Sequence, residues 1–137
     1  MDLGSVRIGL ALSDPLGVTA QPAGVLRRTS LARDLASLAT YIRTHDVERV
    51  VIGYPRRLSG EAGPEAARAE AFAGRLRDAL GGVPIDLWDE RLTTAEALRT
   101  LVAADVSRRR RREVVDAMAA ALILQGWMDA RRGEGSA

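Results

Sequence analysis

Cysteine is absent from the 137 residues, so neither a disulfide framework nor a thiolate metal site can form. Lysine and asparagine are absent as well. All 20 basic residues are therefore arginine, which carries the pI to about 9.9 although the net charge is only +2. Alanine is abundant alongside them, the mark of GC-rich coding, and any single arginine is weaker evidence of function for it. Aromatic residues make up 4% and comprise Tyr41, Tyr54, Phe72, Trp88 and Trp127. That scarcity argues against a stacking platform for single-stranded bases and for recognition by shape and backbone. No apolar run approaches the roughly 18 residues of a membrane-spanning helix, and no charged-then-apolar leader opens the chain. A cytoplasmic protein without membrane attachment is expected. With 47% hydrophobic and 28% charged residues, disorder and coiled coil are excluded, and residues 1–137 are expected to form a single domain.

The apolar pattern alternates between strand and helix periods. Residues 6–13 (VRIGLALS) and 18–27 read as a hairpin around the turn Asp14-Pro15-Leu16-Gly17. Thr29 or Ser30 caps a helix whose apolar stripe is Leu31, Leu35, Leu38, Ala39 and Ile42. Residues 49–53 (RVVIG) form a strand buried on both faces. After a glycine-bearing loop, Pro64 opens a helix that ends near Gly81-Gly82, and residues 84–89 (PIDLWD) return as a strand. Thr93 and Glu96 make a capping box for a helix to about Ala104. A last helix is expected over residues 113–132. Two β–α–β crossovers imply parallel strands covered by helices, so the fold class is α/β with a mixed sheet. In such folds the ligand site lies beyond the carboxyl ends of the parallel strands.

Carboxylates stand near those ends. Asp2 precedes the hairpin, Asp89-Glu90 closes the strand at 84–89, and Asp116 lies in the apolar stretch VVDAMAAA. On a helical wheel Asp116 shares a face with Ala119, Ala120 and Ile123, where a charge needs a partner or a metal. Three acids from distant segments suit a cation site built from oxygen donors, for which Mg²⁺ or Mn²⁺ is the chemical default. Taken singly, each acid also has an ordinary reading as a terminal, turn or solvated side chain.

The blocks DLGSVRIGLALSD, VIGYP, DERLTT and VDAMAAALILQ together resemble the YqgF (RuvX-type) family, in its order and spacing over essentially the whole chain. The resemblance implies a ribonuclease-H-like sheet of order 3-2-1-4-5 with helices on both faces. It implies a metal-dependent nuclease of phosphodiester bonds, associated with maturation of the 5′ end of the 16S ribosomal RNA precursor. The partner would be that precursor or a pre-ribosomal particle. Resolution of branched DNA (the Holliday junction) and non-catalytic RNA binding are the alternatives, and the protein would be a monomer or a homodimer. The family's acidic positions fall on Asp2, Glu90 (favoured over Asp89) and Asp116, which would serve as catalytic residues and as ligands of two metal ions. Only Met1 precedes Asp2, so the first strand is expected to be truncated and Asp2 the least firmly held acid. The loop at 55–60 (PRRLSG) departs from the family's commoner pattern, which leaves a substrate contact there unsupported.

Arg7 and Arg91 flank acidic motifs and suit either phosphate contact or local ion pairs. The run 108–112, with Arg108, Arg109 and Arg110 foremost, reads either as a solvated loop or as a phosphate clamp ahead of the helix bearing Asp116. The single histidine, His45, lies between a helix and a strand and reads as structural or exposed.

Overall fold

A computed structural model describes residues 1–54, 63–89 and 109–135. Among them run β1 (Asp2–Leu3), β2 (Arg7–Ser13), β3 (Ala20–Arg27), α1 (Leu31–Thr44), β4 (Val50–Tyr54), α2 (Pro64–Leu80), β5 (Ile85–Asp89) and α3 (Arg109–Gly135). The expected hairpin is present: β2 and β3 pair antiparallel from Arg7↔Arg27 to Ser13↔Ala20, with an irregularity between Leu10 and Ala11. Asp14 closes the turn by accepting hydrogen bonds from the Val18 and Thr19 amides at 2.6 and 2.9 Å. Asp2 does not merely precede these strands. Asp2 and Leu3 form a strand of their own, antiparallel to β2, with Asp2 opposite Gly9 and Leu3 opposite Ile8. Two residues carry no alternation to read, so sequence pattern alone passes over this element.

β4 and β5 form a parallel ladder from Val50↔Ile85 to Tyr54↔Asp89. Met1 joins it to the three-stranded ladder. Its amino group donates to the Val51 carbonyl at 2.5 Å, and its own carbonyl accepts from the Gly53 amide at 2.9 Å. Those two bonds bracket Ile52, which is the pattern of a parallel pair. The sheet therefore reads β3-β2-β1-β4-β5, the expected 3-2-1-4-5 order. The first strand is short, as expected, yet it is firmly seated: Asp2 is 6% exposed.

Strand alternation divides the core in two. Ile8, Leu10, Val50, Ile52 and Ile85 face Leu38 and Ile42 of α1 and Phe72, Ala73 and Leu76 of α2. Each fully buried side chain of this kind stabilises the fold by roughly 1.5–3 kcal/mol. On the opposite face Val51 packs on Ala119 and Ile123 of α3, flanked by Trp88 and Trp127. Helices thus cover both faces.

The helix ends follow from their capping residues. Ser30 caps α1 by accepting from the Arg33 amide at 3.2 Å, and Pro64 and the left-handed Gly81 bound α2. Leu31, expected in the α1 stripe, is exposed, whereas Leu38, Ala39 and Ile42 are buried. Asp34 is buried in their company; it accepts from the Thr29 amide at 3.0 Å and lies 3.4 Å from Arg28 Nε. The last helix starts earlier than expected. Arg109 and the three arginines after it make the first turn of α3, so the run is helix and not loop from Arg109 onward. Arginine is a good helix former, and no glycine or proline separates the run from Glu113. The expected helix opened by Thr93 lies outside the described residues.

Candidate functional site

Directly opposed residues on antiparallel strands project to the same face of the sheet. Asp2 therefore shares a face with Gly9, its partner in β2. That face carries α3. A Cβ added to Gly9 would lie 2.1 Å from the Asp116 carbonyl oxygen and 2.6 Å from its carbonyl carbon. Only glycine lets the helix backbone come so near the strand. The missing side chain is what brings Asp2 and Asp116, 114 residues apart in the chain, to one patch of one face.

Arg7 stands two residues before Gly9 and projects to the same side. Its Nε donates to Asp116 Oδ2 at 2.7 Å, and the two side chains are 17% and 19% exposed. The ion-pair reading of Arg7 is thus realised, with a partner 109 residues away and not a sequence neighbour. Among the described residues the patch holds a nearly buried carboxylate, a half-buried carboxylate and one guanidinium. Nearby, the Trp88 indole N–H is buried with no acceptor among the described residues. Trp88 and Trp127 are half-buried members of the α3-side core, and Phe72 is fully within the other one, in line with a packing role. Arg131 and Arg49 lie over the Trp127 ring at 4.7 and 5.8 Å from its centroid.

Asp89 ends β5 in the alternation of Ile85 and Leu87, whereas Trp88 packs on the α3 side. Asp89 thus falls on the face opposite Asp2 and Asp116. Glu90, Arg91 and Arg108 lie outside the described residues. Arg109 and Arg110 belong to the first turn of α3, and Arg109 precedes Asp116 by two turns on the same helical stripe, about 10 Å along the axis. His45 is the C-cap of α1, with Nδ1 2.9 Å from the Tyr41 carbonyl and its ring stacked on Tyr41. It lines a cavity of about 700 Å³ with Met1, Leu12, Val50 and Trp127, and neither Asp2 nor Asp116 is among the lining residues.

Asp2 and Asp116 offer hard oxygen donors, the set that suits a divalent cation such as Mg²⁺. Among the described residues no third His, Asp or Glu side chain completes a metal-binding group with them. Sequence reasoning missed Gly9 and Met1. A glycine inside the β-branched run VRIG was the available sign of a close backbone approach.

A family model described as RuvX, Holliday junction resolvase, matches residues 1–130. The chain belongs to the RuvX family. Among its relatives, a protein of Myxococcus xanthus is 54% identical over 132 residues, spanning 96% of this chain and 87% of that protein. One of Symbiobacterium thermophilum is 53% identical over 131 residues, spanning 96% and 90%. Both carry the name "Putative pre-16S rRNA nuclease". Among solved structures, RuvC of Thermus thermophilus matches this RuvX-family chain with a TM-score of 0.57 at 16% identity, over 96% of this chain and 93% of that one. The same protein in complex with a Holliday junction substrate gives 0.56 at 17%, with the same coverage. At that identity the likeness speaks for the fold, which is ribonuclease-H-like. The strand order found through Met1 agrees with it.

Proposed function

We propose that the chain is a divalent-metal-dependent nuclease that hydrolyses phosphodiester bonds in the cytoplasm, acting at the 5′ end of the 16S ribosomal RNA precursor. The observation that carries this reading is the convergence of Asp2 and Asp116 across Gly9 on one face of the sheet. The names of the relatives at 54% and 53% identity supply the substrate. Glu90 is the third carboxylate in this reading, because strand alternation turns Asp89 to the other face. Asp2, Glu90 and Asp116 would hold two Mg²⁺ or Mn²⁺ ions. Bound there, such ions make water a nucleophile at neutral pH and neutralise charge on the phosphate. The chain's own part is to fix the carboxylates: the β1–β2 register sets Asp2, and the Gly9 contact sets Asp116. Histidine is not needed as a base, and His45 is engaged with Tyr41. Arg7, Arg91 and the arginines at 108–110 would meet backbone phosphates, which suits an aromatic-poor chain.

Resolution of branched DNA is the second reading, favoured by the family description and by the likeness to RuvC. The test compares a 16S precursor with a four-way DNA junction, with Mg²⁺ and with chelator. Asp2→Asn and Asp116→Asn should each fold and lose precursor cleavage by more than the roughly 100-fold typical of losing an outer partner of a metal ligand. Full activity in either variant, or cleavage of the junction alone, would overturn the assignment.

A further inference from the structure

Asp116 is already neutralised. Arg7 reaches it through Nε only, at 2.7 Å on Oδ2, and no other hydrogen bond of the Arg7 guanidinium is found among the described residues. A bidentate arginine–carboxylate fork would occupy both oxygens, and this contact occupies one. Arg7 is also aligned with Asp2. It lies on β2 two residues from Gly9, the residue directly opposite Asp2, so Arg7 and both acids share one face of the sheet. With side-chain exposures of 17% and 19%, neither partner of the ion pair can return fully to water.

A carboxylate in such a place needs a counter-charge whether or not a metal is bound, since leaving it half-buried and alone is costly. The guanidinium meets that need in this structure, but it also repels a dication arriving at the same carboxylate. We propose that Arg7 is the resident counter-ion of the site: it occupies Asp116 until a divalent cation displaces it, and the released guanidinium then turns to the substrate phosphate. This rests on the reading of Asp2 and Asp116 as metal ligands. It adds that arginine and metal exclude one another at Asp116, which makes Arg7 a positioning residue whose place depends on metal loading. Coupling follows. Metal would prepare the phosphate contact, and the phosphate, by holding Arg7 away from Asp116, would tighten the metal in return.

The test needs no turnover. Mn²⁺ affinity is measured by calorimetry for the wild type, Arg7→Gln and Asp2→Asn, and the Arg7 Nε–H resonance, assigned by its loss in Arg7→Gln, is followed through a Mg²⁺ titration. The expected result is a Mn²⁺ affinity in Arg7→Gln tighter on the order of tenfold, one repelling charge having been removed at close range. Its metal-free melting temperature should fall, and in the wild type the Nε–H signal should move as Mg²⁺ saturates. An unchanged or weaker affinity together with a stationary Nε–H signal would overturn the proposal and make Arg7 a fixed orienter of Asp116. Were Arg7→Gln not to fold, Arg7→Lys, which keeps the charge and lacks the guanidinium Nε–H, assigns the resonance, and its movement in the wild type decides between the two. Failure of the metal-site reading itself is distinct: wild type and Asp2→Asn would then bind Mn²⁺ alike, and the displacement proposal would fall with it.

Discussion

Replacing Gly9 with alanine should uncouple the candidate site from the rest of the fold. The new Cβ would sit 2.1 Å from the Asp116 carbonyl oxygen, 2.6 Å from its carbonyl carbon and 3.3 Å from the Ala117 nitrogen. All three are backbone atoms, so no side-chain rotation relieves the contact. To reach the ordinary limit near 3.4 Å, strand and helix must part locally by about 1.3 Å, and overpacking of this kind costs about 1–3 kcal/mol. In a chain of this size that lowers the melting temperature by roughly 3–12 °C. The effect on the site should be larger than the effect on the fold. The displaced atoms belong to Asp116 itself, and about 1 Å of misplacement can cost about 100-fold in rate. The two readouts are a urea melt and Mg²⁺-dependent cleavage below the transition. Gly9→Ala with wild-type stability would refute the close approach. Reduced stability with undiminished cleavage would show that the Gly9 contact does not position Asp116 for catalysis.

Two other perturbations probe the arginines and the hairpin. Arg109→Gln with Arg110→Gln removes two cations from the positive end of the α3 dipole without changing helix propensity, so melting temperature should hold or rise. RNA affinity should fall, and its log–log salt slope should flatten by about 0.7–0.9 for each phosphate no longer neutralised; an unchanged slope would assign the turn to plain solvation. Asp14 is held below its ordinary pKa of 3.8, first by the Thr19 amide and then by that of Val18. Its contribution is therefore complete above pH 3.8 and fades as pH falls through the lower folded value. The stability gap between wild type and Asp14→Ala should be flat at neutral pH and close in acid, and a gap that widened in acid would contradict the sign.

Elements whose cues are local were legible in the sequence. The hairpin at Asp14, the Ser30 cap, the Pro64–Gly81 bounds of α2 and the continuous apolar strand at Val50 all emerge from residues within a few positions of one another. What escaped reading depends on partners far along the chain. β1 is too short to have a period and exists because Gly9 and Ile8 receive it. Its firmness comes from Met1, whose bonds reach across 50 residues to β4. Asp116 was recognisable as a charge on a core face, but nothing local named Arg7 as its partner. The arginine run invites a loop reading because its charge draws notice and its helix propensity does not.

The contact between α3 and the sheet uses the smallest residues available: Gly9 on one side, and Ala119 and Ala120, both fully buried, on the other. The opposite face is filled with Ile8, Leu38, Ile52, Phe72 and Leu76. The two faces should therefore differ in how they tolerate random mutation. On the α1–α2 side the damaging changes are truncations, which open cavities costing about 2–5 kcal/mol each. On the α3 side Val51 and Ile123 can still be truncated, but where Gly9, Ala119 and Ala120 set the approach damage comes from added volume. Alanine and glycine codons mutate readily to valine, threonine, serine or aspartate, and each of these enlarges the side chain. Each such enlargement pushes the helix off the sheet, and it is there that Asp116 rides.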